Sequence, residues 1–97
     1  MRALLAFCFV AMATATQAEG ETRLVPPARF DYEPRAPYKV LNIDVAMLNT
    51  ICPSPFGQVW GCTSTRRHVI WLRSGMNAGM RAAVLRHEKA HLNGWRH

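Results

Sequence analysis

Length, composition and charge limit what this chain can be. It has 97 residues, 49% of them hydrophobic, and 12 basic against 6 acidic side chains give a formal net charge of +6. This length allows one small domain and excludes a multidomain protein. No nucleic-acid-binding motif accompanies the positive charge, so we expect a solvated basic surface and no nucleic-acid partner. Such a surface is compatible with acidic peptides or an anionic cell envelope.

A secretory signal peptide is predicted for residues 1–18. Arg2 supplies the positive charge, Ala3 to Ala13 form the apolar run, and small residues allow cleavage after Ala15 or Ala18. The apolar run is too short to span a bilayer. We therefore expect a bacterial protein that is exported, either periplasmic or secreted, with no transmembrane segment in its mature form. The sequence does not predict an oligomeric state.

Two cysteines, Cys52 and Cys62, remain once Cys8 is removed with the signal peptide. The mature chain is short for a self-supporting core, so a covalent link is expected. Export brings the protein into an oxidising environment, which favours a disulfide between these two residues. A zinc site built from thiolates is the rival interpretation, but the pair lacks the Cys-x-x-Cys spacing of such sites.

Residues 19–37 predict a Pro-rich extended leader. Proline lacks a backbone donor and restricts the chain, and the leader contains four of them: Pro26, Pro27, Pro34 and Pro37. The folded domain is then expected over residues 38–97. It contains no internal repeats and no low-complexity tract.

The first elements of this domain are a strand and a short helix. Residues 38–43 partly alternate between polar and apolar side chains, which suits a strand. Asp44 is a favourable N-cap for a helix over residues 45–51. Its helical spacing predicts three side chains that face the core: Val45, Leu48 and Cys52.

Two further strands and a longer helix complete the domain. Residues 58–62 predict a short strand, and residues 68–72, rich in β-branched and aromatic side chains, predict the clearest one. Asn77 is the expected N-cap of a helix from about Ala78 to Asn93, and Gly94 fits the left-handed position that follows a helix. Together these elements predict an α+β fold. A small antiparallel sheet of two or three short strands packs on the C-terminal helix, and a second short helix accompanies it.

The C-terminal helix carries the residues with the clearest chemistry, in the order His87-Glu88-x-x-His91-x-x-Gly94-x-x-His97. Residues four apart project from the same face of a helix, so His87 and His91 can bind one metal ion together. Glu88 lies beside them, where its carboxylate can take a proton from a metal-bound water. Burying two imidazoles and a carboxylate without a metal would be costly.

This pattern resembles the extended zinc motif of the metzincin metallopeptidases and, more broadly, the active-site helix of the zincins. It is also similar to small secreted bacterial proteins of unassigned function that carry a His-Glu-x-x-His helix. The resemblance implies a zincin-like domain over residues 38–97 that holds Zn²⁺ through His87, His91 and His97. It further implies that the strand preceding the helix, residues 68–72, is an edge strand that pairs with extended substrate.

The third zinc ligand is predicted to be His97, because Gly94 lets the chain reverse and three residues span up to about 10 Å. Three other side chains stay open as substitutes: Glu33, Asp44 and His68.

The leading hypothesis is an exported zinc metallopeptidase that hydrolyses peptide bonds of a peptide or protein substrate through a metal-bound water. Glu88 would act as general base and then pass the proton to the leaving amine. The alternative is a non-catalytic zinc-binding structural or interaction protein of the cell envelope, which the small size favours. Glu88 separates the two hypotheses, because a purely structural site needs no base beside the metal.

Overall fold

The computed structural model describes residues 24–54 and 59–97. These residues form a 3-10 turn, three strands and two helices: η1 (Ala28–Phe30), β1 (Lys39–Ile43), α1 (Val45–Ile51), β2 (Gly61–Ser64), β3 (Val69–Arg73) and α2 (Ala78–Leu92). The predicted α+β fold is therefore confirmed, with α2 packed on the sheet. The predicted signal peptide and its cleavage sites lie outside the described residues.

The sheet has the strand order β1-β3-β2 and is mixed. β3 pairs in parallel with β1, from Lys39 opposite Val69 to Ile43 opposite Arg73, and antiparallel with β2. The expectation of a purely antiparallel sheet is therefore wrong for one of its two pairings. β2 therefore runs opposite to β1, and the tight turn at residues 65–68 reverses the chain so that β3 runs in the direction of β1.

β3 lies in the middle of the sheet, which corrects the expectation that residues 68–72 form an edge strand. Its backbone groups already pair with strands on both sides, so it has no free edge for a substrate. Among the described strands, β1 and β2 form the two edges. β2 packs against α2, and β1 reaches α2 through the bonds that Arg81 donates to Asn42.

Successive side chains of β3 point to opposite faces of the sheet and join two cores. Ile70 and Leu72 are fully buried against Val84 of α2. Trp71 lies on the other face and packs against Leu48 of α1. The sheet therefore has α2 on one face and α1 on the other.

Side-chain caps begin both helices, as predicted. Asp44 accepts a hydrogen bond from the backbone N–H of Met47, and Asn77 accepts one from Met80. The prediction that Val45 of α1 faces the core is wrong, because this residue is 37% exposed. Within the described ranges, no helix is long and apolar enough to cross a bilayer.

Cys52 and Cys62 form a disulfide, with their Cα atoms 6.6 Å apart. Cys52 is the C-cap residue of α1, and Cys62 is in β2. The bond therefore fixes the end of α1 against the edge of the sheet that faces α2.

The segment before β1, residues 24–37, lies against α2 and is called the strap below. The side-chain amide of Asn93 donates to the backbone carbonyls of Phe30 and Tyr32, at 2.8 Å and 2.7 Å. Two ion pairs also join the strap to α2, Asp31 with Arg86 and Glu33 with Lys89. The part of the predicted leader that the structure describes thus packs along one side of the motif helix.

Candidate metal centre

Two motif residues of α2 are buried, and His91 is partly buried. His87 is 1% exposed and Glu88 is 2% exposed. His87 and His91 are one helical turn apart, and their Nε2 atoms lie 3.2 Å from each other. The helical spacing in the sequence therefore produces the predicted convergence of the two imidazoles.

A helix-ending turn brings His97 to the same point. Gly94 has a φ of 107°, and its N–H donates to the carbonyl of His91, while the N–H of Trp95 donates to the carbonyl of Ala90. These two bonds form a Schellman motif, which reverses the chain after a helix. The Nε2 atom of His97 then lies 3.2 Å from that of His87.

The three histidines form a group that can hold a metal ion, with one donor atom from each and all of these atoms within 4.8 Å of one another. Nitrogen ligands lie about 2.0–2.1 Å from zinc, so two of them at a tetrahedral angle are about 3.3 Å apart. The observed Nε2 separations of 3.2 Å match this value. The donor set, with these two separations from His87 and the whole group within 4.8 Å, is therefore compatible with a metal site.

Backbone carbonyls orient two of these rings. The Nδ1 atom of His91 lies 2.8 Å from the carbonyl oxygen of Trp95, and that of His87 lies 3.3 Å from the carbonyl oxygen of Leu24. Since a carbonyl only accepts, each Nδ1 carries the proton and each Nε2 of the neutral rings presents a lone pair. Facing lone pairs repel each other, and a cation bound to both removes that repulsion. Carbonyl partners of this kind hold metal-binding histidines in many proteins.

Burial also favours the metal-binding form of His91. Desolvation lowers the pKa of this imidazole, while the hydrogen bond to the carbonyl of Trp95 opposes the shift and the charge of Arg96 adds to it. The indole ring of Trp95 stacks on the His91 ring with 5.2 Å between centroids. Burial therefore favours the neutral form of His91, which is the form that coordinates metals.

Glu88 is buried beside the histidines and hydrogen-bonded to the sheet. Its Oε1 atom accepts a hydrogen bond of 2.6 Å from the hydroxyl of Thr63 in β2. Desolvation raises the pKa of Glu88 to about 8, although the bond from Thr63 opposes this shift. A carboxyl group with such a pKa can accept and release a proton near neutral pH. A cation close to it would favour the ionised form.

A cavity of about 480 Å³ opens beside the histidines. Polar and aromatic residues of α2 and the turn after it line one part of the cavity: Glu88, His91, Trp95, Arg96 and His97. The end of α1, β2 and the residues next to them supply the rest: Ile51, Cys52, Pro53, Cys62, Thr63 and Thr65. The disulfide forms part of one wall. The cavity therefore gives a ligand access to the predicted base and to two of the predicted metal ligands.

The substitute ligands considered from the sequence lie elsewhere. Glu33 is on the strap and pairs with Lys89, and Asp44 caps α1. His68 is exposed in the turn between β2 and β3, where it has a φ of 58°. None of these three belongs to the histidine group.

Sequence reasoning missed three contributors to the site. Thr63 has no distinguishing signal, because only the pairing of β2 with β3 and the packing of α2 bring its hydroxyl to Glu88. The carbonyls of Leu24 and Trp95 are backbone groups, which no residue type marks. Only the carbonyl of Trp95 could have been inferred from its position in the sequence, because Trp95 is four residues after His91 and directly follows the helix-ending glycine.

No protein-family model matches this chain, and neither a curated protein nor a solved structure matches it. The chemistry of the site is therefore argued from its own residues.

Proposed function

We propose that this protein is an exported zinc-dependent peptidase. The observation that carries the proposal is the position of Glu88, a buried carboxyl group that lines the same cavity as His91 and His97. Three imidazoles alone would serve a structural metal equally well. A titratable carboxyl group beside them, open to a cavity, supplies what hydrolysis needs in addition.

Zinc is the metal that the donor set favours. Three neutral imidazole nitrogens suit zinc, and catalytic zinc sites use three protein ligands with a fourth position open to water or substrate. His87, His91 and His97 would hold the ion through their Nε2 atoms. Bound zinc supplies Lewis acidity and lowers the pKa of water in the site to about 7.

Glu88 handles the protons of the proposed reaction. Its Oε1 is fixed by Thr63, and within the described part of the chain no hydrogen bond reaches Oε2. We assign Oε2 the proton taken from the attacking water. Glu88 then releases that proton to the nitrogen of the leaving amine, so the carboxylate is regenerated.

Among the described residues no strand pairs with the outer edge of β2, and this edge is the place we assign to an extended peptide. β2 is an edge strand, and its residues Cys62 and Thr63 line the cavity. A peptide that adds to this edge by backbone hydrogen bonds passes directly beside Glu88. We therefore assign to β2 the pairing with extended substrate that the resemblance implied for residues 68–72.

Export is part of the proposal. The disulfide between Cys52 and Cys62 is compatible with an oxidising compartment, because cytosolic thiols are kept reduced. N-terminal sequencing of protein recovered from the periplasm or medium should find a first residue directly after Ala15 or Ala18. Exported protein that still begins with Met1 would contradict the signal-peptide assignment.

The function is tested by comparing the wild type with Glu88→Gln, which keeps the shape of the side chain but cannot take a proton. We expect zinc-loaded wild type to cleave a mixed peptide library, and Glu88→Gln to retain one zinc per chain without cleavage. Glu33→Gln, the same change at an exposed position of the strap, is the matched control and should cleave normally. Zinc binding without any cleavage by the wild type would favour the structural or envelope-binding alternative.

A further inference from the structure

Arg96 differs from the other basic residues near α2 in having no partner. It lies between Trp95 and His97, and all three line the cavity. Within the described ranges, the Arg96 guanidinium makes no ion pair and no hydrogen bond. Arg96 is exposed, and its charge acts on the neighbouring His91, so its guanidinium lies near the cavity and is available to a ligand.

The acidic residues of the described chain are engaged elsewhere. Asp31 and Glu33 of the strap pair with Arg86 and Lys89 on the other side of α2. Asp44 caps α1. The strap therefore neutralises one side of the helix and leaves the positive charge uncompensated on the cavity side.

Among the described residues, the one acidic side chain that lines the cavity is already committed. Glu88 is buried and accepts a hydrogen bond from Thr63. Two more arginines, Arg66 and Arg67, directly follow the cavity-lining Thr65 in the sequence and are exposed. The cavity lining therefore contains one basic side chain, Arg96, that no described acidic side chain pairs with, and a bound metal cation would add to its positive charge.

We propose that Arg96 binds a carboxylate of the substrate and makes this protein selective for short peptides with a carboxylate close to the cleaved bond. A guanidinium donates two parallel hydrogen bonds to one carboxylate, so it selects this group more sharply than a lysine would. This inference rests on the proposed peptidase function, because it assigns a substrate class to the same cavity.

The size and walls of the cavity agree with a short peptide. A volume of about 480 Å³ is within the range of roughly 300–1,000 Å³ that is usual for small-molecule sites. Ile51, Pro53 and the disulfide give it an apolar wall opposite the polar residues of α2. The ligand that fits has an apolar side chain and a carboxylate, which is either the carboxyl terminus or an acidic side chain.

The test measures binding rather than turnover. Two peptidyl hydroxamates, identical except that one ends in an alanine carboxylate and the other in an alanine carboxamide, are titrated into the zinc-loaded protein by calorimetry. A second pair, ending in glutamate amide or glutamine amide, presents the carboxylate on a side chain. The hydroxamate anchors each compound at the metal, so the difference within a pair reports the carboxylate alone.

We expect the wild type to prefer the carboxylate member of at least one pair by about tenfold. The pair that shows the preference identifies the source of the carboxylate. Arg96→Gln should bind both members of that pair equally, and Arg96→Lys should restore part of the preference. Arg81→Gln removes the same charge from a side chain that bonds Asn42, so it should keep the full preference.

Three outcomes would overturn the assignment of Arg96: no preference in the wild type, a preference that persists in Arg96→Gln, or an equal loss in Arg96→Gln and Arg81→Gln. Failure to bind any hydroxamate would also contradict it. A preference that depends on Arg96 in a protein that cleaves no peptide would instead support the carboxylate site and reject the peptidase function.

Discussion

The Nε2 atoms of His87 and His97 lie 3.2 Å apart, although ten residues separate them in the sequence. His87 is fixed in α2, whereas His97 lies beyond the end of the helix. Only the turn at Gly94 brings the second ring back to the first. Metal affinity is therefore linked to the geometry of the segment between the end of the helix at Leu92 and His97.

Replacing His97 with alanine should weaken zinc binding at least about tenfold, because a site with two imidazoles replaces one with three. The matched control is His68→Ala, since His68 is an exposed histidine outside the group. Competition with a chelator of known affinity measures both. Equal zinc affinity in His97→Ala and the wild type would remove His97 from the ligand set.

Gly94→Ala should weaken zinc binding through the turn. A φ of 107° is strained for any residue with a Cβ, so we expect a loss of roughly 1 kcal/mol in folding free energy and a measurable drop in zinc affinity. Gly79→Ala is the matched control on the same helix, because its added Cβ meets only an oxygen of Asn77 at 3.6 Å. That change should stabilise the protein slightly. Unchanged zinc affinity in Gly94→Ala would mean that His97 reaches the site without this turn.

The sequence predicted these local features because each depends on neighbouring residues. Asp44 and Asn77 were identified as helix caps from residue type and position, and both make the expected bonds. The spacing of His87 and His91 on one helix was sufficient to predict their convergence. Gly94 was recognised as a helix-ending residue for the same local reason.

The features that the sequence did not predict depend on contacts between distant segments. The parallel pairing of β1 with β3 joins Lys39 to Val69 and has no local signal, so the edge strand was assigned to the wrong residues. The bond between Thr63 and Glu88 spans 25 residues. The packing of the strap on α2 joins Phe30 to Asn93 across 63 residues. Each needs the assembled fold.

Glu88 should make the metal-free protein less stable as the pH rises. Its pKa of about 8 in the folded protein lies above the ordinary value of 4.5, so the folded protein holds this proton more tightly than the unfolded chain. The associated stability is complete below about pH 4.5 and is lost as the pH rises through about 8. His91 has the opposite sign, since burial lowers its pKa and its contribution is lost as the pH falls.

Comparison with Glu88→Gln isolates the first effect, because His91 is common to both proteins. Urea denaturation in the presence of a chelator measures the free energy of unfolding of both proteins. Between about pH 5 and 8.5, the value for the variant should rise relative to that of the wild type by several kcal/mol, since each pKa unit corresponds to about 1.4 kcal/mol. A stability difference that does not change with pH would show that Glu88 titrates normally in the metal-free protein.

The disulfide should stabilise the fold by restricting the unfolded chain. Its cysteines are 10 residues apart, so replacing both with alanine should cost about 2–3 kcal/mol in free energy of unfolding. Denaturation of the metal-free double variant and wild type measures this loss. In exported protein, intact mass before and after reduction and alkylation should show one disulfide. Two free thiols in natively exported protein would be inconsistent with both the bond and the compartment.

Zinc K-edge X-ray absorption on the zinc-loaded protein tests the central claim most directly, because it reads the ligands of the metal. We predict one zinc per chain bound by three imidazole nitrogens and one light oxygen ligand, all at about 2.0–2.1 Å. The spectrum of Glu88→Gln should be the same, since Glu88 acts as a base and not as a ligand. A spectrum with sulfur ligands, with fewer than three imidazoles, or with a ligand set that changes in Glu88→Gln would contradict this account.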